Sequence, residues 1–173
     1  RQVIATPEPK FFGGWTNTFT YKNLSLSFLM QFSCGGEAVY SNLGEEISGV
    51  LGQSVGRELY GNTWTPERTD AKYARLVAGT MSYNYMANDR FVFDTSYLRM
   101  KNITLSYSLP KAWINKLYLS NASLFVTATN LFTITQWPGL DPETVATGIT
   151  SMGTNNDPYP LSRSFSLGVK LQF

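Results

Sequence analysis

The stretch of sequence that decides the fold is FSLGVKLQF, which runs from Phe165 to Phe173. Every second residue in it is apolar, namely Phe165, Leu167, Val169, Leu171 and Phe173, and the residues between them are Ser, Gly, Lys and Gln. A polarity period of two is typical of a β-strand whose two sides meet different environments. An apolar row opposite a row that carries a charge predicts a transmembrane β-barrel strand, with one side towards lipid and the other towards a wet lumen.

The composition of the chain supports this interpretation and excludes several functions. The chain is 43% hydrophobic and only 15% charged, whereas soluble domains average about 25% charged residues. Its net charge of +2 is too balanced for a nucleic-acid surface, so we expect no nucleic-acid partner. It has no histidine and a single cysteine, Cys34, which removes histidine-based catalysis, histidine metal sites and an intrachain disulfide. We therefore expect no enzyme activity, no metal and no cofactor.

Four further runs alternate in polarity and predict an all-β, antiparallel architecture. They are Phe11–Tyr21, Leu24–Cys34, Ser96–Ser108 and Leu117–Phe132. Each is as long as, or a little longer than, the roughly 9–11 residues that a tilted strand needs to cross a bilayer. No run of about 18 apolar residues is present, so we expect no transmembrane helix.

The connections between the predicted strands alternate in length. Lys22-Asn23 and 110–116 are short, whereas 35–95 and 133–160 are long. Outer-membrane barrels have short periplasmic turns and long extracellular loops. We therefore expect both long loops to be extracellular and Phe173 to lie at the periplasmic side.

The first long loop contains local structure signals of its own. Asn42 followed by Glu45 resembles a capping box, and apolar residues then recur at helical spacing as far as Leu59. These signals predict a short helix that Gly61 closes. The stretch 64–68, which contains a proline, predicts a turn after it.

Five strands are too few for a barrel. The smallest bacterial outer-membrane barrels use about eight strands. An open five-stranded sheet in hydrocarbon leaves two unpaired edges, and each unsatisfied backbone group there costs several kcal/mol. The chain also begins with Arg1. We therefore expect residues 1–173 to be the carboxy-terminal part of a larger barrel, with no plug domain among them.

Five phrases in order resemble one family, the SusC/RagA-type TonB-dependent outer-membrane transporters. They are PKFFGG at 9–14, YLRMKNITLSYSLP at 97–110, NLFT at 130–133, GLDPE at 139–143 and YPLSRSFSLG at 159–168. The resemblance implies the last five strands of a 22-stranded barrel in the outer membrane of Bacteroidetes. Such transporters import glycan oligomers or peptides, and the sequence leaves the choice of cargo open.

The resemblance also implies partners. These are the remainder of the same transporter, including its plug, a SusD-like surface lipoprotein, and TonB through the missing amino-terminal part. Outer-membrane lipid and the barrel-assembly machinery complete the set. A terminal aromatic with alternating apolar residues resembles the signal that this machinery reads, so Phe165, Leu167, Val169, Leu171 and Phe173 are the candidate assembly signal. The alternative for Phe173 is an interfacial anchor.

Aromatic side chains in the two long loops are the candidate ligand contacts, since aromatic faces stack on sugar rings and can also grip peptides. They are Tyr60, Trp64, Tyr83, Tyr85 and Trp137. The alternatives are packing within the loops, contact with the lipoprotein, or an interfacial aromatic girdle.

One strand carries an inconsistency. Arg99 and Lys101 share the parity of Ile103, which would place two cations on the apolar side. Either a β-bulge resets the register, or this part of the strand lies beyond the hydrocarbon. We expect the second.

Two other classes of protein fit parts of the sequence. A secreted, soluble carbohydrate-binding β-sandwich would also have aromatic loops and Ser/Thr-rich strands. A glycoside hydrolase would need two carboxyl groups held about 5 Å or more apart across a substrate. Asp141 and Glu143, which flank a proline, do not define such a pair, and we expect a loop motif there.

Overall fold

The structure is a computed structural model that describes residues 3–40, 57–75, 89–115, 118–145, 154–155 and 159–173. The strands within these ranges are β1 (Phe11–Tyr21), β2 (Leu24–Cys34), β3 (Glu37–Tyr40), β4 (Val92–Asp94), β5 (Tyr97–Ser108), β6 (Asn121–Thr129), β7 (Thr133–Thr135), β8 (Thr154–Asn155) and β9 (Ser164–Gln172). A short helix, α1, spans Lys111–Ile114, and single 3-10 turns span Arg57–Leu59, Asp89–Phe91 and Pro142–Thr144. None of the helices in this part of the chain has the length and hydropathy to cross a membrane.

The chain divides into two compact units. The large-sheet unit consists of Pro9–Gly35, Ser96–Gln136 and Pro160–Phe173. The small-sheet unit consists of Arg1–Glu8, Gly36–Thr95 and Trp137–Tyr159.

The large-sheet unit is an antiparallel sheet in the order β1-β2-β5-β6-β9, and β7 also pairs with β5. The predicted antiparallel strands are confirmed. β1 and β2 have the predicted bounds, β5 begins one residue later, and β9 is shifted by one residue. β6 is shorter than predicted because Tyr118 before it and Asn130 after it both have positive φ, at 55° and 49°. Neither residue continues an extended strand.

The register aligns residues of the same polarity across the five strands of the sheet. One row runs Phe19, Leu26, Leu105, Val126, Leu167. The next row, on the opposite side, runs Thr18, Ser27, Thr104, Thr127, Ser166. The sheet therefore has an apolar face and a hydroxyl face, because side chains alternate between the two sides of every strand.

A β-bulge in β5 resets the register at Arg99 and Lys101, which is one of the two alternatives left open for their parity. Met100 pairs with Met30, but Asn102 pairs with Leu29, so Lys101 is the extra residue. Arg99 pairs with Gln31 and lies on the hydroxyl face as a result. It is 3% exposed, and its Nε donates to Thr133 Oγ1 at 2.8 Å. The bulge accounts for the parity of Arg99, and the expected position beyond the hydrocarbon stays a prediction.

The NLFT phrase makes a matching irregularity in the neighbouring strand. Asn130 adopts a φ of 49°, and its N–H donates to the Lys101 carbonyl at 3.0 Å. The N–H of Leu131 donates to the Met100 carbonyl at 3.1 Å, so β5 stays hydrogen-bonded between β6 and β7. The Asn130 side-chain amide donates to the Ser162 carbonyl at 3.0 Å. Asparagine tolerates this left-handed conformation better than most residues, and its side chain ties the kink to the segment before β9.

Gly168 allows an aromatic ring to lie over the hydroxyl face of β9. It pairs with Phe125, and a Cβ atom placed on it would overlap Phe125 Cζ. The ring therefore occupies the space of the missing side chain. Such packing recovers contact area that a glycine in a strand otherwise forfeits.

The small-sheet unit has a core of its own. Its sheet has the order β4-β3-β8, with β3 and β8 parallel. Leu59 and Phe91 are each 3% exposed and pack with Val39, Tyr73 and Ala74. The predicted helix begins at Asn42, and residues 42–56 of it lie outside the described residues. Its end at Arg57–Leu59 is a 3-10 turn, and Gly61, predicted to close the helix, has a φ of 70°.

Candidate functional site

The apolar face of the large sheet is exposed along the whole of β9. The candidate assembly residues Phe165, Leu167, Val169 and Leu171 lie on it, Phe173 follows the strand directly, and all five are more than half exposed. Leu105 and Val126, in the same row as Leu167, are 44% and 47% exposed. A contiguous apolar surface across five strands marks an interaction face, since soluble monomers rarely expose one.

Aromatic rings dominate the part of this face that β1 and β2 form. The ring centroids of Trp15 and Phe28 are 5.5 Å apart, with an interplanar angle of 87°. Those of Phe11 and Phe32 are 6.0 Å apart, with an angle of 62°. Such edge-to-face contacts add about 0.5–1.5 kcal/mol per pair beyond burial.

The opposite face is lined by hydroxyl groups that bond to one another across strands. The hydroxyls of Thr104 and Thr127 are 2.9 Å apart, and those of Thr129 and Ser164 are 2.8 Å apart. Thr20 and Ser25 make a longer contact of 3.4 Å. Each hydroxyl group can also donate a hydrogen bond to water and accept one from it, so the face suits a hydrated channel.

A cavity of about 540 Å³ opens at the end of this sheet where the short connections lie. Its lining includes Asn23, Ser108, Lys111, Asn121 and Gln172. In the described lining, amides, the hydroxyls of Ser108 and Ser120 and one ammonium group supply hydrogen bonds.

The loop aromatics fall into three groups. Tyr60 is 93% exposed and Trp64 is 37% exposed, so both present apolar surface. Trp137 is 5% exposed, with its ring centroid 5.6 Å from that of Tyr40 and 6.3 Å from that of Phe93. This burial favours the packing alternative for Trp137. Tyr83 and Tyr85 lie outside the described residues.

The stretch 57–75 holds Trp64 on a rigid backbone. The N–H of Trp64 donates to the Tyr73 carbonyl at 2.9 Å, and the N–H of Tyr73 donates to the Asn62 carbonyl at 3.0 Å. Thr65 and Arg68 close a turn with backbone hydrogen bonds of 3.3 and 2.9 Å, which confirms the predicted turn. Tyr60 N–H donates to the Arg57 carbonyl at 3.2 Å.

The same stretch pairs two polar residues, Asn62 and Arg68, that the sequence did not single out. Arg68 Nη2 donates to Asn62 Oδ1 at 3.5 Å. A Cβ built on Gly61 would be 3.8 Å from Arg68 Nη1, so the guanidinium lies against the Gly61 backbone. The sequence predicted the turn that contains Arg68. Nothing in it predicted that the Arg68 guanidinium contacts Asn62.

Asp141 is a loop-forming residue, as expected. It is 4% exposed, and its Oδ1 accepts from the Glu143 N–H at 3.0 Å. Its carbonyl accepts from the Thr144 hydroxyl at 2.9 Å. These are the hydrogen bonds of a capped turn, and they direct the carboxylate into its own backbone.

Comparison with known proteins relates the chain to one class of receptor. No protein-family model matches it. It is 31% identical over 179 residues to the TonB-dependent receptor P3 of Formosa agariphila, covering 100% of this chain and 17% of that protein. It is 32% identical over 175 residues to the TonB-dependent receptor SusC of Bacteroides thetaiotaomicron, covering 100% of this chain and 16% of SusC. The chain thus spans about one sixth of the length of the curated relatives it matches.

Solved structures show the same fold. The RagAB peptide importer in its closed-closed state matches 99% of this chain with a TM-score of 0.79 and 22% identity, over 18% of that chain. The open-open state matches with a TM-score of 0.75 and 21% identity. At this identity the likeness establishes the fold.

Proposed function

Because the curated relatives of this chain are TonB-dependent receptors, SusC among them, we propose that it forms barrel wall and external loops of an outer-membrane importer of oligomeric nutrients. The observation that carries the proposal is the large sheet with one exposed apolar face and one hydroxyl face. Lipid covers the first face, and the second lines the hydrated interior.

The dimensions of the sheet suit a bilayer. β1 and β2 each have 11 residues. At about 3.3 Å per residue and a tilt of about 40°, such a strand covers roughly 25 Å along the membrane normal. This is the height of the apolar band of an outer-membrane barrel. The apolar residues of β1, from Phe11 to Tyr21, fill this height.

The edges of the sheet determine the first partner. β1 and β9 stand at the two ends of the strand order. Their outer backbone groups require hydrogen-bond partners in hydrocarbon, where irregular edges are not tolerated. The remainder of the same transporter supplies these strands and the plug. The exposed ladder from Phe165 to Phe173 is the feature that the barrel-assembly machinery reads.

The lengths of the connections support one orientation in the membrane. Lys22-Asn23 and the α1 connection are short, and we place them in the periplasm with Phe173. The connections 35–95 and 133–160 are extracellular. A SusD-like lipoprotein docks on this side, and TonB acts on the transporter from the periplasm.

Labelling of intact cells tests both the membrane location and the orientation. The full-length protein would carry Cys34→Ser and a single new cysteine at either Thr69 or Lys111, both of which are exposed. An impermeant maleimide should label the cysteine at position 69 and should reach position 111 only after the outer membrane is opened.

Two results would overturn the proposal. Labelling of position 111 alone in intact cells would reverse the orientation. A full-length protein that stays soluble without detergent would instead indicate the β-sandwich alternative, in which a second sheet covers the apolar face.

A further inference from the structure

The large-sheet unit carries ionisable side chains of one sign only. All twelve Asp and Glu residues of the sequence fall within the ranges of the small-sheet unit. The large-sheet unit has eight cations, which are Lys10, Lys22, Arg99, Lys101, Lys111, Lys116, Arg163 and Lys170. The nearly balanced charge of the whole chain therefore conceals a sheet unit with a formal charge of +8.

Two of these cations lie at or beside the cavity of about 540 Å³ at the end of the large sheet. Lys111 is part of its lining. Lys170 precedes Gln172, another lining residue, by two positions in β9. Residues two apart in a strand project to the same side, about 7 Å from one another, so Lys170 stands next to the cavity. Both lysines are exposed.

The cavity opens on the hydroxyl face of the sheet. Asn121 and Gln172 line it and pair with each other across β6 and β9. Counting along β6 and β9 in steps of two leads from this pair to Thr127 and Ser166, which belong to the hydroxyl row. Lipid on the apolar face therefore does not reach the cavity, and its occupant comes from the interior that the hydroxyl face lines.

Backbone hydrogen bonds hold the lining in place. The N–H and the hydroxyl of Ser120 both donate to the Gln172 carbonyl, at 2.8 and 3.0 Å. The N–H of Ser108 donates to the Asn23 carbonyl at 2.8 Å. A lining fixed in this way binds an occupant without the cost of first ordering itself.

The chemistry of the lining suits carboxylate groups. The side chains of Lys111, Asn23, Asn121 and Gln172 all present N–H donors, and such donors bond to carboxylate oxygens. The described lining contains no aromatic ring on which a sugar or a base could stack. Its volume lies within the roughly 300–1,000 Å³ of sites that enclose a whole organic molecule, so it has room for several side chains rather than a single small ion.

We propose that a carboxylate-bearing segment of the same polypeptide, from outside residues 1–173, docks in this cavity and forms ion pairs with Lys111 and Lys170. The large-sheet unit supplies no Asp or Glu of its own to these lysines, and cations that a docked segment partly buries need opposite charges beside them. This inference rests on the proposed function, because it requires the hydroxyl face to line an occupied interior.

The test is site-specific photo-crosslinking in the full-length protein, purified in detergent. The photoreactive amino acid p-benzoylphenylalanine replaces Asn121, which is exposed and lines the cavity. On irradiation we expect it to capture a peptide from outside residues 1–173 that contains Asp or Glu. The same probe at Leu171, on the apolar face at the same end of β9, should capture detergent or lipid and not that peptide.

Charge reversal tests the ion pairs. Lys111→Glu and Lys170→Glu should each lower the yield of the cross-link from position 121 by about tenfold, because a like charge then faces the docked carboxylates. Replacing the carboxylate of the captured peptide with Lys should restore the yield, which a misfolded variant would not do. The matched control is Lys22→Glu at the same end of the sheet. Lys22 lies outside the cavity lining, with its Nζ 5.3 Å from the centroid of the Tyr21 ring, so its reversal should leave the yield unchanged.

Three results would overturn the inference. They are the capture of no peptide from outside residues 1–173, the capture of a peptide without a carboxylate, and an unchanged yield in either charge-reversal variant. The probe at Leu171 reports separately on the proposed function. Capture of a protein segment there would contradict a lipid-facing apolar surface and would leave the result at position 121 as it stands.

Discussion

The large-sheet unit and the small-sheet unit place the same kind of side chain in opposite positions. Leu167 in the large sheet is 79% exposed, whereas Leu59 in the small-sheet unit is 3% exposed. The same contrast holds for Val169, at 58%, and Phe91, at 3%. A contiguous apolar face of this extent is costly in water. It supports the proposal that lipid covers the large sheet, whereas Leu59 and Phe91 belong to a core inside their own unit.

The largest expected effect tests the inward-facing half of this comparison. Leu59→Ala removes a buried side chain that packs on Phe91, and such changes cost about 2–5 kcal/mol. We expect hydrogen exchange in the full-length protein to show faster exchange at the Tyr73 amide, which bonds to the Asn62 carbonyl. Leu167→Ala is the matched control and should leave that amide protected. Equal protection in both variants would mean that Leu59 does not hold the unit together.

A charge on the apolar face tests the outward-facing half. Val169→Arg should cost about 2–4 kcal/mol of barrel stability if Val169 faces lipid near the middle of the membrane. Ser166→Arg in the same strand places the cation on the hydroxyl face and should cost much less. Refolding titrations of the full-length protein into lipid vesicles measure the free energy of unfolding of both variants. Equal losses would contradict the assignment of the two faces.

The sequence predicts the large sheet well because one physical rule acts over its whole length. Alternating polarity gave β1 and β2 their bounds and placed β5, β6 and β9. It offered a bulge near Lys101 as one of two explanations but could not choose it, because a bulge depends on how β5 pairs with β2 rather than on β5 alone.

The small-sheet unit was less predictable because its contacts join residues far apart in sequence. In the sequence, Trp137 is an aromatic residue in a long loop, which fits a ligand contact and a core residue equally well. Its packing on Tyr40 and Phe93 is what identifies it as a core residue. Likewise, the pairing of Arg68 with Asn62 depends on the positive φ of Gly61 and on the turn at Thr65.

A smaller effect sharpens the description of the hydroxyl face. Gly168→Ala places a methyl group where the Phe125 ring lies, and overpacking of this kind costs about 1–3 kcal/mol. Phe125→Leu should cost less alone, and in combination it should recover part of the loss, since it vacates the space. A double-mutant cycle on the refolded protein measures the coupling. Additive losses would show that the ring does not occupy the glycine position in the membrane.

The smallest expected effect on stability concerns Phe173, and it separates an anchor from an assembly signal. Phe173 is 91% exposed, so its contribution should fall well below the roughly 1.5–3 kcal/mol of a fully buried aromatic side chain. Phe173→Ser in the full-length protein should therefore refold in vitro almost as stably as the parent. If assembly machinery reads the ladder that ends at this residue, the amount of protein in the outer membrane should fall far more than that stability change explains.

Phe11→Ser, which removes a 58% exposed aromatic from the same face of β1, is the matched control and should reach the membrane at a level set by its stability. Surface abundance and refolding free energy must be measured together for both variants. If the surface abundance of both variants falls only in proportion to their loss of stability, Phe173 is an interfacial anchor. The assembly machinery then does not distinguish the apolar face of β9 from that of β1.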